Sequence, residues 1–496
     1  MTIRWLLSDL LGRVPYSTVM GPTDVVVTGI TCDSREVAER NIFAALKGLK
    51  ADGRSFVPEA LARGASVILS HAEPLDTLPD GVSWVVCPRD REAFSAACSA
   101  LFGTEDNPVK LAGVTGTNGK TTCAYLLRSI FIQAGGAGML GTIEYDTGDG
   151  LLPAVRTTPE AHFIHRWLHG LAEKGIPYAA MEVSSHSLAL ARVAHLHFAA
   201  AGFTNLTRDH LDFHETMEAY YQTKKGLFDL LDVDGTAVVN LEDPYGVRLS
   251  GELHRRNVIT VGGKKPADMR PEGLTMDLSG IRCTFKTPFG DVPVRSSLTG
   301  RFNLENLLVA VGTALATGVS TEHAAAGIAA LAGVPGRMER VAAGQPFTVL
   351  VDYAHTDDAL KNLLQTVREL GPERIITVFG CGGDRDRTKR PLMGAVAARL
   401  SDVLLLTSDN PRTENPEDIA RDAEQGIRPE LGSGKVYERI LDRRAAIRKA
   451  MELAGAGDVV VVAGKGHERA QLTGTIKREF HDPTVVRELL GEMGWA

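Results

Sequence analysis

Beyond the stretch "GVPGRMER" (333–340), short apolar runs alternate with segments of helical spacing. "FTVLVDY", "RIITVFG", "DVLLLT" and "DVVVVAG" read as buried strands, and the spacing predicts helices over 356–370, 389–400, 416–426 and 442–454. Such alternation favours a mainly parallel sheet covered on both faces. Ligands of these sheets sit at the carboxyl ends of the strands. The polar loops "DYAHT", "GCGGDRDRTKR", "DNPR" and "GKGHE" all fall there, so this edge is expected to be a binding face.

A second strand–loop–helix unit lies upstream. "VKLAGVTG" is a β-run, and "KTTCAYLLRSIFIQAG" has helical spacing and ends in glycine. Between them, "GVTGTNGKTT" (113–122) carries Gly116, Thr117, Asn118 and Gly119 ahead of Lys120, Thr121 and Thr122. The glycines let the backbone curl with its N–H groups inward. The helix start and Lys120 add positive charge, and Thr121 offers a hydroxyl to Mg²⁺. A strict GxxxxGK[ST] pattern needs glycine at 114, where Val114 stands; Gly113 sits one place early. The segment is therefore a P-loop variant; the blander alternative is a glycine-rich turn with an incidental lysine. A P-loop alone permits a switch GTPase, a kinase, a motor or a ligase. No asparagine is followed by lysine, which weakens the GTPase branch, and "GCGGDR" matches a dinucleotide fingerprint only in part.

Further strands are expected at 178–183 and 236–240, and helices at 159–174, 215–231 and 302–317. "RCTFKTPFGDVPVRS" alternates around "FG" and reads as an inserted hairpin. Residues 1–106 show short strands, a helix over 55–63 and a strand over 65–69, with no phosphate loop; "TEDNP" (104–108) is a polar connector. For 496 residues, about three domains are expected. The expected fold is α/β in three domains: an N-terminal α/β domain (1–106), a central P-loop ATPase-like parallel-sheet domain (107–335) and a C-terminal Rossmann-like doubly wound domain (336–496).

A formal charge of −7 argues against nucleic-acid binding through a broad basic face. The six cysteines are scattered, which suits a reducing compartment rather than a disulfide framework or structural zinc. "MTIRWLLSDLLGRV" is too short and polar for a signal segment, and no run approaches the ~18 apolar residues of a membrane span. A soluble cytoplasmic protein, monomeric by default, is expected.

Glu182 ends the run "YAAMEV", where a carboxylate beside a P-loop is well placed for Mg²⁺. "NLTRDHLDFHET" (205–216) then gathers Asp209, His210, Asp212 and His214. Zinc is possible on composition, but the spacing matches no zinc pattern, and a nucleotide site calls for a hard cation. A solvated turn with a helix cap is the plainer alternative for this cluster.

Taken together, "TGTNGKTT", "MEVSSHSL", "NLTRDHLDFH", "TGRFNLEN", "GRMER", "DYAHTDDAL", "GCGGDRDRTKRPLM", "DNPR" and "GKGHE" resemble the Mur ligases, ATP-dependent amide-bond formers of peptidoglycan synthesis. The resemblance runs from about 30 to 480. It points to the branch that joins a third amino acid to a nucleotide dipeptide. It implies that the three domains bind the UDP-sugar, ATP and the amino acid in turn. Lys120 and Thr121 would serve ATP and Mg²⁺, and Glu182 and His210 would be Mg²⁺ ligands. Lys224 would carry a CO₂-derived carbamate, an anionic oxygen ligand beside a second Mg²⁺. Lys225 leaves that assignment ambiguous, although Phe228 favours Lys224, and two solvated helix lysines are the plain alternative. Asn303 and Asn306 resemble adenine-side groups, and Arg337, Asp352 and His355 resemble groups on phosphate and ribose. Ser34, with Lys50 and Ala51 of "LKADGR", resembles a uridine-diphosphate contact region. Thr157, Thr158, Ser184 and Arg192 resemble contacts to the peptide and pyrophosphate; helix capping is the alternative for the two threonines.

The implied reaction adds meso-diaminopimelate to the D-Glu γ-carboxylate of UDP-N-acetylmuramoyl-L-Ala-D-Glu through an acyl phosphate. L-lysine and L-ornithine are alternative acceptors; a folylpolyglutamate-synthase-like ligase and a P-loop nucleotide switch are more distant readings. meso-Diaminopimelate alone of these acceptors has a second carboxylate, which a guanidinium can bind through parallel N–H···O bonds. Arg412 in "DNPR" (Asp409, Asn410, Pro411, Arg412) is implied to read it. Arg390 would hold the reacting amino acid's own carboxylate, Glu468 the distal ammonium, and Gly464 is their companion. The alternative for Arg412 is a local salt bridge with Glu414 or Asp409.

Overall fold

A computed structural model describes residues 4–48, 51–74, 77–253, 256–264 and 266–495. The chain divides into two compact units. The first takes the chain through Arg270 with Phe285–Val292 and Glu305–Gly327. The second takes Pro271–Thr284, Pro293–Leu304 and the chain from Ile328.

The first unit holds two α/β sheets. In the N-terminal one the strands run in the order Thr18–Met20, Ser83–Val86, Val67–Ser70, Asn41–Ala45, Gly29–Thr31. All its pairings are parallel except that of Thr18–Met20. The expected helix over 55–63 appears as a 3₁₀ turn, Gly53–Phe56, continued by an α-helix, Val57–Ala62. A longer helix, Asp90–Phe102, was not anticipated; it is buried along most of its length and ends at Gly103 in the left-handed conformation.

In the central sheet, Lys110–Thr115 lies between Tyr178–Glu182 and Phe198–Phe203, parallel to both. The register pairs Glu182 with Val114 and Phe203 with Thr115. The chain therefore leaves all three strands at one edge, and the residues after 115, 182 and 203 are brought together there. Leu231–Asn240 and Asn257–Val261 extend the parallel run, while Glu144–Asp146 and Leu151–Pro153 close the other side as an antiparallel ribbon. The stretch expected as one helix over 215–231 is instead an α-helix, Met217–Lys225, a 3₁₀ turn, Gly226–Leu230, and the start of a strand at Leu231. The inserted hairpin forms from Gly280–Lys286 and Val292–Ser296, with Arg270–Asp277 as an additional neighbour.

The second unit's main sheet has the order Glu339–Val341, Thr348–Asp352, Val459–Ala463, Ile375–Phe379, Val403–Leu406, Val436–Arg439. Only Glu339–Val341 is antiparallel. Alternate residues of each strand face opposite ways. Leu350, Val459 and Val461 pack with Leu360, Leu364 and Ile427 from one set of helices. Val349, Val351, Val460 and Val462 pack with Ile447, Met451, Val486 and Leu490 from another. The sheet is thus covered on both faces, as the alternation predicts. The helix expected over 416–426 runs on to Glu430, and the helix Asp482–Glu492 and edge strand Val436–Arg439 were not anticipated. Among the described residues no helix is long and apolar enough to cross a membrane.

Candidate active site

The P-loop variant occupies the turn between Lys110–Thr115 and the helix Lys120–Gln133. Gly116 and Gly119 have φ of 151° and 88°. A Cβ at Gly116 would lie 1.9 Å from Thr204 Oγ1, and one at Gly119 would lie 2.1 Å from Asn306 Oδ1. Glycine is needed at both points for conformation and for space. The neighbouring strand's exit holds the loop. Thr117 N donates to Asn205 O at 2.9 Å, Asn118 N to Asn205 Oδ1 at 2.9 Å, and Thr204 Oγ1 to Asn118 O at 2.6 Å. Thr122 is buried at the start of the helix.

Lys120 Nζ folds back to donate to Gly116 O and Thr117 O, both at 2.8 Å. Lys224 Nζ reaches the same Gly116 oxygen at 2.7 Å and lies 4.7 Å from the Tyr220 ring centroid. Lys224 is buried, and burial together with nearby Lys120 pushes its ammonium well below the usual lysine range, against an opposing pull from Asp209. Lys225 turns away and donates to Glu252 at 2.7 Å. The structure therefore places Lys224, not Lys225, at the phosphate loop.

Glu182 is fully buried at the strand end. Its oxygens accept from Thr121 Oγ1 at 3.1 Å, Thr142 Oγ1 at 2.9 Å and Thr142 N at 2.7 Å. A hydroxyl and a carboxylate next to a phosphate loop form an all-oxygen donor set, which fits Mg²⁺. Among the described residues no group of three or more His, Cys, Asp or Glu side chains could hold a metal by itself. Such a cation would thus draw further oxygens from phosphates and water, as Mg²⁺ commonly does.

His210 has a left-handed φ of 51°, and its ring stands 5.0 Å from that of His186, which is 5.8 Å from His214. Burial lowers the pKa of all three; His214 falls to about 4. Asp209 Oδ1 accepts the His210 N–H at 2.8 Å. His214 Nε2 lies 2.9 Å from Ser185 Oγ, so His214 supports the loop after Glu182. His186 escaped the sequence reading; its signal was its place in "SSHSL", directly after the Glu182 strand.

Thr158 Oγ1 donates to Glu182 O at 2.8 Å and receives Ser184 N at 3.1 Å. Thr157 Oγ1 lies 3.1 Å from Thr142 Oγ1, whose hydrogen goes to Glu182. Arg192 donates to Thr158 O at 3.2 Å and pairs with Glu160 at 3.1 Å. These four predicted residues therefore surround the exit of one strand. Ser34 is buried and donates to Glu59 at 2.7 Å. Two residues earlier, Cys32 Sγ lies 3.9 Å from His162 Nδ1, which puts the Ser34 turn near the start of the helix Ala161–Glu173. Ala51 O accepts Gly48 N at 3.0 Å, while Lys50 lies outside the described residues.

In the second unit, Asp352 accepts Met338 N at 2.7 Å and Ala354 N at 2.8 Å. Burial pushes its carboxyl up, and the nearby Arg337 opposes this. Arg337 lies 4.9 Å from the Tyr353 ring centroid, and His355 Nδ1 lies 2.9 Å from Tyr353 O. Asn303 donates to Thr299 O at 2.8 Å from the first turn of the helix Arg301–Ala316, the helix that also carries Asn306.

The four polar loops do share one edge, since their strands are parallel. Arg390 is buried, donates to both oxygens of Glu414 at 2.7 and 2.9 Å, and reaches Asp422 at 2.9 Å. Its head thus faces two of the chain's own carboxylates. Arg412 has φ of 52° and donates through Nη1 to Gly383 O at 2.7 Å. Among the described residues no salt bridge joins it to Glu414 or Asp409. The residue after it in the turn's hydrogen bonding is Leu472: Arg412 N donates to Leu472 O at 3.0 Å, and Leu472 N donates to Asn410 Oδ1 at 2.9 Å. Asn410 Nδ2 donates to Glu468 Oε2 at 2.8 Å. Pro411 O packs so closely on Gly383 that a Cβ there would lie 1.9 Å from it. Gly464, with φ of 116°, brings its backbone against Asp409, whose Oδ2 would lie 2.7 Å from a Cβ.

Three family models match successive parts of the chain. They are Mur ligase family, catalytic domain, over 26–101; Mur ligase middle domain, over 114–314; and Mur ligase, glutamate ligase domain, over 336–466. A UDP-N-acetylmuramoyl-L-alanyl-D-glutamate--2,6-diaminopimelate ligase from Solibacter usitatus is 45% identical over 495 residues, covering 99% of each chain. The protein of the same name from Geobacter metallireducens is 42% identical over 506 residues, covering 98% of each. A solved structure of a ligase of that name aligns over 100% of both chains, with a TM-score of 0.72 and 33% identity.

Proposed function

Because the chain belongs to the Mur ligase family, we propose that it joins meso-diaminopimelate to the D-Glu γ-carboxylate of UDP-N-acetylmuramoyl-L-Ala-D-Glu at the expense of ATP. The relatives at 42% and 45% identity carry that reaction in their names. The observation that carries the reading is the convergence of Lys120 and Lys224 on the Gly116 oxygen, beside the Thr121–Glu182 pair. Cationic nitrogen and hard oxygen ligands side by side suit a triphosphate whose terminal group is to be transferred.

A carboxylate is a poor electrophile because its leaving group would be oxide. The γ-phosphoryl group passes to a carboxylate oxygen, and ADP departs. The neutral amine then attacks the acyl carbon, the C–O bond to phosphate breaks, and the amine gives up a proton. Both steps gather negative charge, so positioning and charge stabilisation dominate. Lys120 meets the charge on the phosphates at the start of the helix Lys120–Gln133, where the positive end of the helix dipole adds to it. Thr121, Glu182, His210 and a carbamate on Lys224 would hold Mg²⁺, as a pair of ions. When bound, Mg²⁺ neutralises phosphate charge. A lysine with a depressed pKa is the kind that offers CO₂ a neutral amine, and carbamoylation turns it into an anionic oxygen donor.

Asn303, Asn306, Arg337, Asp352 and His355 serve the rest of ATP in this reading. Ser34, Lys50, Ala51, Thr157, Thr158, Ser184 and Arg192 hold the nucleotide dipeptide. Arg390, Asp409–Arg412, Gly464 and Glu468 recognise the incoming amino acid. These roles follow proposed domain limits at 1–106, 107–335 and 336–496. The protein would act in the cytoplasm, as a monomer. Phosphate release with ATP, the nucleotide dipeptide and a panel of diamino acids tests the proposal. Release should require the dipeptide and be fastest with meso-diaminopimelate. A clear preference for L-lysine overturns the acceptor, and no release with any diamino acid overturns the ligase.

A further inference from the structure

Lys465 stands in "GKGHE" between Gly464 and Glu468, and its side chain is fully buried. Its ammonium donates to Asn410 Oδ1 at 3.1 Å, Glu468 Oε2 at 2.9 Å and Ala470 O at 2.7 Å. A lysine ammonium has three donors, so these bonds use all of them. Lys465 therefore has no hydrogen left to offer a ligand, and its charge is committed to Glu468.

The same Glu468 oxygen also accepts Asn410 Nδ2 at 2.8 Å. Burial would raise the Glu468 carboxyl, but Lys465 and the hydrogen bonds hold it below its ordinary value, so it is an anion. It is an anion already neutralised by a partner three residues away. A side-arm ammonium brought to this corner meets Lys465 as well as Glu468, and loses its hydration for little net attraction. A distal centre bearing both an ammonium and a carboxylate adds no net charge. Its ammonium can share Glu468, and its carboxylate can turn to Arg412, which the "DNPR" turn holds at φ 52° near Leu472.

We propose that Lys465 is a specificity-determining residue: by neutralising Glu468 it makes the pocket select a zwitterionic side arm and reject a singly charged cationic one. The selection then works by discrimination against the wrong acceptor as well as by contacts to the right one. The inference rests on the reading of these loops as the site of meso-diaminopimelate.

The test uses the full-length protein with ATP and the nucleotide dipeptide, and measures L-lysine and L-norleucine as inhibitors of meso-diaminopimelate-dependent phosphate release. Norleucine has lysine's chain without its ammonium. In the unaltered protein lysine should inhibit no better than about threefold over norleucine, because its ammonium gains little. In Lys465→Met, Glu468 is left without its cation, and lysine should move to about tenfold or more ahead of norleucine. An advantage of that size for lysine in the unaltered protein overturns the proposal. So does an unchanged ratio in a folded Lys465→Met variant that still uses meso-diaminopimelate. If Lys465→Met does not fold or turn over, the comparison in the unaltered protein decides alone. Absence of meso-diaminopimelate-dependent release in the unaltered protein is a different result, since it removes the ligase reading and this inference with it.

Discussion

Lys120 and Lys224 share one acceptor: the Gly116 carbonyl oxygen takes their ammonium groups at 2.8 and 2.7 Å. Like charges so close disfavour each other, and the more deeply buried of the two, Lys224, has its pKa driven down. An anion placed at this loop would relieve the conflict. Lys120→Ala should therefore cut phosphate release by about a thousandfold, because charge stabilisation at the transferred group is lost. The variant should melt no lower than the unaltered protein, since a repulsive neighbour has gone. Near-normal turnover would show that Lys120 does not serve the phosphates.

The carbamate proposed on Lys224 would make ligation depend on dissolved CO₂. Buffer stripped of CO₂ should lower activity, and bicarbonate should restore it. Lys224→Ala should lose on the order of a hundredfold in rate or more, with part of it recovered by a small carboxylate that refills the anionic position. Lys225→Ala, which removes only the pair with Glu252, should retain activity. If Lys224→Ala and Lys225→Ala behave alike, the assignment fails.

The parts of this fold that could be read from the chain are those whose burial leaves a local pattern. Val459–Ala463 is fully buried and consists of consecutive apolar residues. The helix Asp357–Glu369 has one apolar face and a Thr356 cap, so its spacing is plain. Asp90–Phe102 was missed because it is buried all round by small residues such as Ala96, Ala97 and Ala100, which leaves no polar face to set a period. The site divides the same way. Gly116, Gly119 and Lys120 carry a spacing rule, and the strand register puts Glu182 beside them. Lys224 and Lys225 differ only in what the fold turns them toward. Arg390 is surrounded by Glu414 and Asp422, 24 and 32 residues away, a pairing that spacing cannot show. Lys465 reads as one more polar loop residue until Asn410 and Glu468 are seen around it.

His165 links the helix Asp90–Phe102 to the helix Ala161–Glu173: its Nδ1 lies 2.6 Å from Thr104 Oγ1 and its Nε2 3.4 Å from Ser95 Oγ. Burial, helped by His195, lowers its pKa from 6.5 to about 3. Between those values the unfolded chain binds a proton that the folded chain refuses, so stability is full above pH 6.5 and falls as the pH drops. Relative to His165→Gln, the unaltered protein should lose roughly 2 kcal/mol between pH 7 and pH 5, read from urea unfolding at each pH. Parallel pH profiles for the two proteins would show that His165 does not titrate with unfolding.

Arg412 uses one nitrogen, Nη1, on Gly383 O, which anchors one corner of the planar guanidinium. A carboxylate bound in parallel fashion needs that plane, and lysine cannot supply it. Arg412→Lys should lower kcat/KM for meso-diaminopimelate by about a hundredfold and leave KM for ATP within about twofold. An equal loss with every acceptor would mean that Arg412 supports the loop and does not read the second carboxylate.

Arg443 and Asp482 form a bidentate pair with both side chains fully buried, at 2.8 and 2.7 Å, and Arg443 also donates to Ala463 O at 3.0 Å. The pair joins the helices Arg443–Leu453 and Asp482–Glu492 at the end of the strand Val459–Ala463. Two buried charges satisfied by each other add little net stability over an apolar pair, but one left alone is costly. Arg443→Met and Asp482→Leu should each destabilise the protein by about 3–5 kcal/mol, and the double variant should recover most of that loss. Denaturant unfolding of the four proteins measures the coupling. Because Arg443 also holds the Ala463 carbonyl, the double variant should stay less active with meso-diaminopimelate than its stability implies. Additive losses would show that the two side chains do not act as a pair.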